Sequence, residues 1–589
     1  MIKTMSKHIG EFKKESILTP VFMIGEVIFE TLIPFIMGMI IDIINSESPD
    51  MKLILIYGLI MLLLAGGGLW VGIMGGKTGA KASAGFARNL RRAMYRKIQS
   101  FSFANIDKLS SASLVTRMTT DVTNVQNAYQ MILRMCTRAP ASLLISMTFA
   151  FIIRARVAAI YLVAVIILGL GIALIIKNAT KYFVQAFPKY DELNEKVQEN
   201  VTAIRVVKGF VREDFEENKF TKASLNIYKI FVKAEAMTTF MMPLMQLTIY
   251  GSILLVCWTG AKLIVKEFGH VGGLSTGNLT SLLTYCMSIL MSLMMLSIVF
   301  IMITMSEASA KRIVEVLEEE PTITNPENPV MEVKDGSIEF NNVIFRYNDK
   351  SEKPVLDNIN ISIESGETIG IIGGTGSSKT SLVNLISRLY DVSQGEVKVG
   401  GVNVKDYDLT TLRNSVSVVL QKNVLFSGTI LENLRWGDKN ASLEEVKKAC
   451  KVACADEFID RMPEGYDTVI SQGGTNVSGG QKQRLCIARA LLKKPAVLIL
   501  DDSTSAVDTA TDAKIKKALR EDIPKTTKII IAQRISSVQD SDRIIVMDQG
   551  KINGFGTHEE LLKANDIYRE VYESQTKGRG DFDEVGGDK

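Results

Sequence analysis

The stretch IIGGTGSSKTSL, from Ile371 to Leu382, carries the residues with the plainest chemistry in this chain. It reads as an apolar strand end, a glycine-rich loop and the first turn of a helix. From Gly373 through Gly374, Thr375, Gly376, Ser377 and Ser378 to Lys379 and Thr380 it follows G-x-x-x-x-G-K-[ST] with one departure. Such a loop wraps backbone N–H groups around a nucleotide phosphate, and the helix N-terminus behind it adds positive potential. Lys379 would reach the β- and γ-phosphates, and the Thr380 hydroxyl would hold Mg2+. The departure is Ser378, which stands where the second glycine is expected. Binding is expected to survive it, because the lysine, the hydroxyl and the remaining small residues are in place.

A loop of this kind needs a sheet to hold it. GSIEFNNVIFRY alternates like a strand and ends at Tyr347. VVLQKNVLFSGTI carries Gln421, a mostly helical insert runs from about 429 to 475, and NVSGGQKQRLCIARALL covers Asn476 to Leu492. AVLILDDSTSAVD is an apolar strand ending in Asp501 and Asp502; KIIIAQRISSV is another, ending at Gln533. Apolar runs alternating with helices predict a mostly parallel sheet covered on both faces.

The chain has 589 residues, too many for one core, and its two halves differ. Up to about residue 306 it is dominated by apolar runs long enough to cross a bilayer, which takes about 20 residues each. Six are expected, at about 17–44, 52–76, 127–154, 157–178, 237–265 and 279–306, the third and fourth joined tightly at Arg154–Arg156. Residues 1–16 are basic and weakly amphipathic and suit the membrane surface; they are not a signal peptide. The second and fourth connections are long, charged and helical in pattern, so the spanning helices are expected to continue past the bilayer and turn back at a tip. Excess Lys and Arg put both termini and both long loops, with Lys97 and Arg212, in the cytoplasm and His270 outside. Arg154 and Arg156 go against that rule and are outvoted. The divisions expected are a surface segment 1–16, a membrane domain 17–312, a linker 313–335, a soluble domain 336–575 and a polar tail 576–589.

Glu26 and Glu30 lie four apart in the first span, hence on one face. They would either line a cavity for a cationic or polar substrate or pair with Arg134 or Arg138. Met241, Met245, Met291 and Met295 belong to a methionine-rich pair of spans, suited either to adaptable substrate contacts or to ordinary packing. A formal net charge of +4 gives no reason to expect nucleic acid. The six cysteines show no metal-ligand spacing and read as free thiols in a reducing compartment.

GGTGSSKT, Gln421, VSGGQ and LILDD, in that order and behind six spans, resemble an ABC transporter of the exporter-type half-transporter form. The resemblance covers nearly the whole chain. It implies an α-helical six-span membrane domain followed by an α/β P-loop ATPase domain with a helical insert. It further implies ATP and Mg2+ as cofactors, a multi-pass place in a bacterial cell membrane and pairing with a second half-transporter. By it, Tyr347 stacks on adenine, and Thr380, Gln421 and Asp501 hold Mg2+. Val477, Ser478, Gly479, Gly480 and Gln481 form the signature that completes the opposite ATP site. Ser505, Ala506, Val507 and Asp508 form the loop that contacts the other subunit.

The departures sharpen the expectation. Relatives usually carry Glu where Asp502 stands and His where Gln533 stands. Asp is one methylene shorter, and Gln donates a hydrogen bond but carries no proton. Losing acid–base help costs roughly 10²–10⁴ in rate. This chain's own site is therefore expected to bind ATP and hydrolyse it poorly, while its signature serves a distinct partner with intact Glu and His. The resulting expectation is one half of a heterodimeric multidrug-type exporter, moving small amphipathic or cationic substrates. An importer of the same fold, a slow homodimer and an ATP-gated channel or nucleotide sensor stay open as alternatives.

Overall fold

The computed structural model describes residues 1–266, 273–348, 351–502 and 507–576. Among the expectations above, His270, Ser505, Ala506 and residues 577–589 of the tail lie outside that set. The chain forms two compact units, one of residues 1–99 and 111–319, the other of residues 100–110 and 320–589.

The first unit is helical. Five helical stretches among its described residues are long and apolar enough to cross a membrane, where the sequence predicts six spans. The difference lies in one of them, Ser111–Tyr182, which covers two expected spans. Inside it Arg154 has φ −159° and ψ 103°, which is extended backbone. The Phe149 ring lies 6.1 Å from that of Tyr285, and the Tyr161 hydroxyl donates to the Leu282 carbonyl at 2.9 Å. On a straight helix Phe149 and Tyr161 would stand about 18 Å apart, yet they meet positions within one turn of each other. The path therefore folds back at Arg154, where the sequence places a tight connection.

Helix Met51–Gln99 runs 49 residues, far more than a bilayer needs, so it continues past the span as expected. At the other long loop the helix ends at Thr202, a short helix Ile204–Gly209 follows, and Glu213–Thr239 returns. The last helix of the unit, Thr276–Glu318, extends into the stretch expected to be linker.

The second unit is built on a six-stranded sheet. Strands Arg543–Asp548, Thr368–Gly373, Thr527–Ile531, Val497–Asp501 and Val416–Val419 run parallel in that spatial order, and Lys551–Gly556 closes one edge antiparallel. Both faces are covered, as near-continuous Val, Ile and Leu require: Ile529 and Ile531 belong to one buried cluster and Ile530 to the other. The alternation in GSIEFNNVIF builds something the sequence reading did not separate. Strand Ile338–Phe345 joins Leu356–Ile363, Gln394–Val399 and Val402–Asn403 in a second, antiparallel sheet. The insert is helical as expected, with helices Ile430–Leu434, Leu443–Val452 and Asp456–Ile459.

Residues 100–110 belong to this second unit although their sequence neighbours on both sides belong to the first. Helix Phe103–Leu109 starts with a capping box between Ser102 and Asn105. Asn105 Nδ2 donates to the Glu320 carbonyl at 2.9 Å, and Asp107 accepts from the Tyr390 hydroxyl at 2.6 Å.

Candidate functional site

The parallel strands end together, and their carboxyl ends carry the residues singled out by chemistry. Gly373 ends one strand and Asp501 another; Gln421, Asp502 and Gln533 lie one or two residues beyond theirs. The crevice outside the carboxyl ends of such a sheet is where ligands bind.

The loop from Gly373 to Lys379 shows why its residue types are needed. A Cβ on Gly373 would sit 2.3 Å from the Met547 carbonyl, so no other residue fits. Gly376 has φ +83°. Ser378 has φ +75° and ψ 24°, so the position where a glycine is expected does adopt the left-handed conformation. That costs an L-residue roughly 1–2 kcal/mol. Lys379 begins the helix Lys379–Ile386, and its ammonium donates to the carbonyls of Gly373 at 2.7 Å and Gly374 at 2.8 Å. It thus closes over the loop's inner rim.

Thr380 Oγ1 donates to Asp501 Oδ2 at 2.8 Å. Asp501 is buried, and burial holds its pKa above the usual carboxylate range against the Thr380 hydrogen bond. Asp502 has φ +47°. Its pKa is also raised, by burial first, with the Gln421 contact opposing. Gln421 Nε2 reaches Asp502 Oδ2 at 3.5 Å, the outer limit of a hydrogen bond. Hydroxyl, carboxylate and amide oxygens gathered in this way form the donor set that a hard divalent cation takes.

Gln533 is exposed, and its backbone is held from the far end of the unit. Gln575, on the helix Asp566–Thr576, donates to the Gln533 carbonyl at 3.1 Å and accepts from the Ile535 amide at 2.9 Å. No residue pattern marks this brace in advance. Tyr347 stands two residues past its strand and is half exposed. Its ring meets Tyr390 edge-on at 5.0 Å, and its hydroxyl shares a hydrogen bond of 2.9 Å with Ser381, next to Thr380. Ser381 and Tyr390 had no signal of their own in the sequence.

The VSGGQ stretch caps the helix Gly479–Leu492. Ser478 Oγ accepts from the Gln481 amide at 3.3 Å, and Gln481 Oε1 accepts from the Ser478 amide at 2.9 Å. Val477 packs against the buried cluster beside it. Asp508 caps the helix Thr509–Asp522 through Thr511 at 2.9 Å, and those hydrogen bonds hold its pKa low; Val507 packs inward.

In the membrane unit one arginine takes both glutamates: Arg138 donates to Glu26 at 3.2 Å and to Glu30 at 2.9 Å. Met245 is buried in that unit's core and Met241 packs against it; Met295 is half-buried and Met291 exposed. The six cysteines are free, and no group of metal-holding side chains forms among the described residues.

Residues 16–294 match the family model described as "ABC transporter transmembrane region", and residues 356–505 the one described as "ABC transporter". The chain is 35% identical over 574 residues to an "uncharacterized ABC transporter ATP-binding protein", YfiB, of Bacillus subtilis, covering 97% of this chain and 98% of that one. It is 32% identical over 581 residues to a protein of the same description, Rv1273c, of Mycobacterium tuberculosis, covering 98% of each.

The chain belongs to the ABC transporter family.

Among solved structures it is similar to a bacterial Atm1-family ABC exporter with ATP bound, with a TM-score of 0.81 at 23% identity over 96% of this chain and 99% of that one. This ABC transporter chain thus has the exporter fold, a helical transmembrane domain fused to an ATP-binding, ATP-hydrolysing domain, and is a multi-pass integral membrane protein.

Proposed function

We propose that this chain is one half of a heterodimeric, ATP-driven exporter of multidrug type. Its own nucleotide site binds Mg2+ and ATP but turns over slowly, and its Ser478–Gln481 signature completes a competent site on a distinct partner. One observation carries the reading: Asp502 and Gln533 occupy the catalytic positions, while the signature is whole and forms an ordered helix cap. In this reading the membrane domain crosses the bilayer six times, with the turn at Arg154 on the outer side. The N-terminus and the nucleotide-binding unit face the cytoplasm of a bacterial cell. ATP closes the paired soluble domains, and hydrolysis at the partner's site resets them.

The substrate class is a small amphipathic or cationic molecule, lined by Glu26, Glu30 and the methionines at 241, 245, 291 and 295. Two carboxylates on one guanidinium leave a net negative charge at that place. Replacing Glu26 and Glu30 by Gln should alter selectivity for cations while assembly survives. Lost assembly, or unchanged transport, assigns the pair to structure alone.

The deciding experiment is steady-state ATPase of the purified complex with trapped-nucleotide analysis. Asp502→Asn should lower turnover mildly, Ser478→Ala severely, and Gln at the partner's catalytic Glu almost completely. Nucleotide should persist on this chain between cycles. Equal near-total losses from the two carboxylate changes would sink the asymmetry, and a native mass of two identical chains would replace it with a slow homodimer. Substrate movement against a gradient separates a pump from a channel, and its direction separates export from import.

A further inference from the structure

Lys528 is out of place by every rule of burial. It lies on strand Thr527–Ile531, in register with Thr368 on one side and Leu498 on the other, and is followed by three buried isoleucines. It is 3% exposed. Ammonium groups are expelled from such places unless an opposing charge meets them. Among the described residues its side chain makes no hydrogen bond or ion pair. Burial holds its pKa below the ordinary lysine value, helped by the charge of Arg520 and opposed by that of Asp542.

The side chain lines a cavity of about 450 Å3 between that strand, the helix Thr509–Asp522 and the turn around residues 534–541. A second anomaly lines the same cavity. Asp512 Oδ2 receives the Lys516 ammonium, but Asp512 Oδ1 is buried without a partner. The cavity therefore holds a cation in need of an anionic oxygen and a carboxylate oxygen in need of a donor. The other charges on the lining balance, Lys517, Arg520 and Arg534 against Asp502, Glu521 and Asp540. Arg520 gives its hydrogen bond to the Asp540 carbonyl rather than to a carboxylate, and the Arg534 side chain makes no hydrogen bond or ion pair among the described residues. Glu521 is met by Lys517 at 3.9 Å.

We infer that this cavity binds a phosphate group, with its anionic oxygens on Lys528 and Arg534 and a hydroxyl donating to Asp512 Oδ1. Inorganic phosphate supplies both the charge and the P–OH from one group. A phosphate monoester supplies the donor from a hydroxyl on its carrier, for which the volume leaves room. Asp502 and Gln533 also line this cavity.

The test is thermal unfolding of the full transporter in nanodiscs, titrated with inorganic phosphate, glycerol 3-phosphate or sulfate at matched ionic strength. A Lys379→Ala background removes binding at the phosphate loop. A saturating phosphate should raise Tm on the order of 2–4 °C in both the native and the Lys379→Ala protein. Lys528→Ile should abolish the shift. Sulfate, which has the charge but no donor at neutral pH, should give a clearly smaller one. Whichever of the two phosphates gives the larger shift identifies the source. If Lys528→Ile does not assemble, Arg534→Gln on the exposed turn should weaken the apparent affinity several-fold. The inference is overturned by no shift, by a shift lost in Lys379→Ala, by an equal response to sulfate, or by full response in the Lys528 or Arg534 variant.

Discussion

Thr380 and Asp501 lie 121 residues apart and are joined by a hydrogen bond of 2.8 Å, which ties the first turn of the phosphate-loop helix to the end of a buried strand. Burial works against the Asp501 charge, and the Thr380 hydroxyl is the main group offsetting it. Thr380→Val keeps the shape and removes that donor. It should lower the unfolding free energy of the nucleotide-free protein by about 1–3 kcal/mol, whereas Thr380→Ser should cost well under half as much. Denaturation of both variants checks this, and equal losses would place the effect in packing.

Ser378 pays for a conformation that glycine adopts freely. Ser378→Gly relieves roughly 1–2 kcal/mol of left-handed strain but adds freedom to the unfolded chain, so a net gain of about 0.5–1 kcal/mol is expected. Ser378→Val, β-branched at φ +75°, should lose stability and weaken nucleotide binding. Chemical denaturation and nucleotide titration of the pair measure both effects; a stabilising valine would contradict the backbone argument.

Ser478 does two things that can be separated. Its oxygen caps a helix through Gln481, a contact whose loss costs about 1 kcal/mol. Under the proposed function its hydroxyl also faces the partner's nucleotide. Ser478→Asn preserves the cap and removes the hydroxyl, so stability should hold while ATPase of the complex falls. Ser478→Thr should retain both. If Ser478→Asn keeps full activity, the residue serves the helix alone.

Cys450 is buried in the core of the nucleotide-binding unit, and burial pushes its thiol from 9.0 up to about 12. It should resist maleimide at pH 7–8 in the folded protein and react on unfolding. The sign of its effect on stability follows from the proton count. Its contribution is fully present below pH 9, where the thiol is protonated folded or unfolded. Above that only the unfolded chain gives up the proton, so stability falls by up to about 1.4 kcal/mol per pH unit toward pH 12. Cys450→Ala should flatten that alkaline decline.

What could be read from the sequence was local. The phosphate loop, the helix cap at Ser478 and the strand ending at Asp501 each lie in one short run, where residue type and spacing determine the geometry. Glu26 and Glu30 showed their common face through helical spacing, and Arg138 was one of two arginines near enough to meet them. Contacts across long separations left no such mark. Gln575 braces Gln533 from 42 residues away, and Tyr390 meets Asp107 across 283. The division of strands into two sheets escaped for the same reason, since alternation shows that a strand has two different faces but not which strand lies beside it. The positive φ at Ser378 was visible only as a departure from a motif.

Residues 100–110 leave the ribosome long before the rest of the unit they complete. Asp107 precedes Tyr390 by 283 residues. At about 5–20 residues per second, synthesis separates the two by on the order of 15–60 s. Until residue 320 is made the helix Phe103–Leu109 has nothing of its own unit to rest on. The nucleotide-binding unit is therefore started near the beginning of translation and finished near its end, with most of the membrane domain produced in between. A stalled or truncated chain would carry the first piece of that unit without the second.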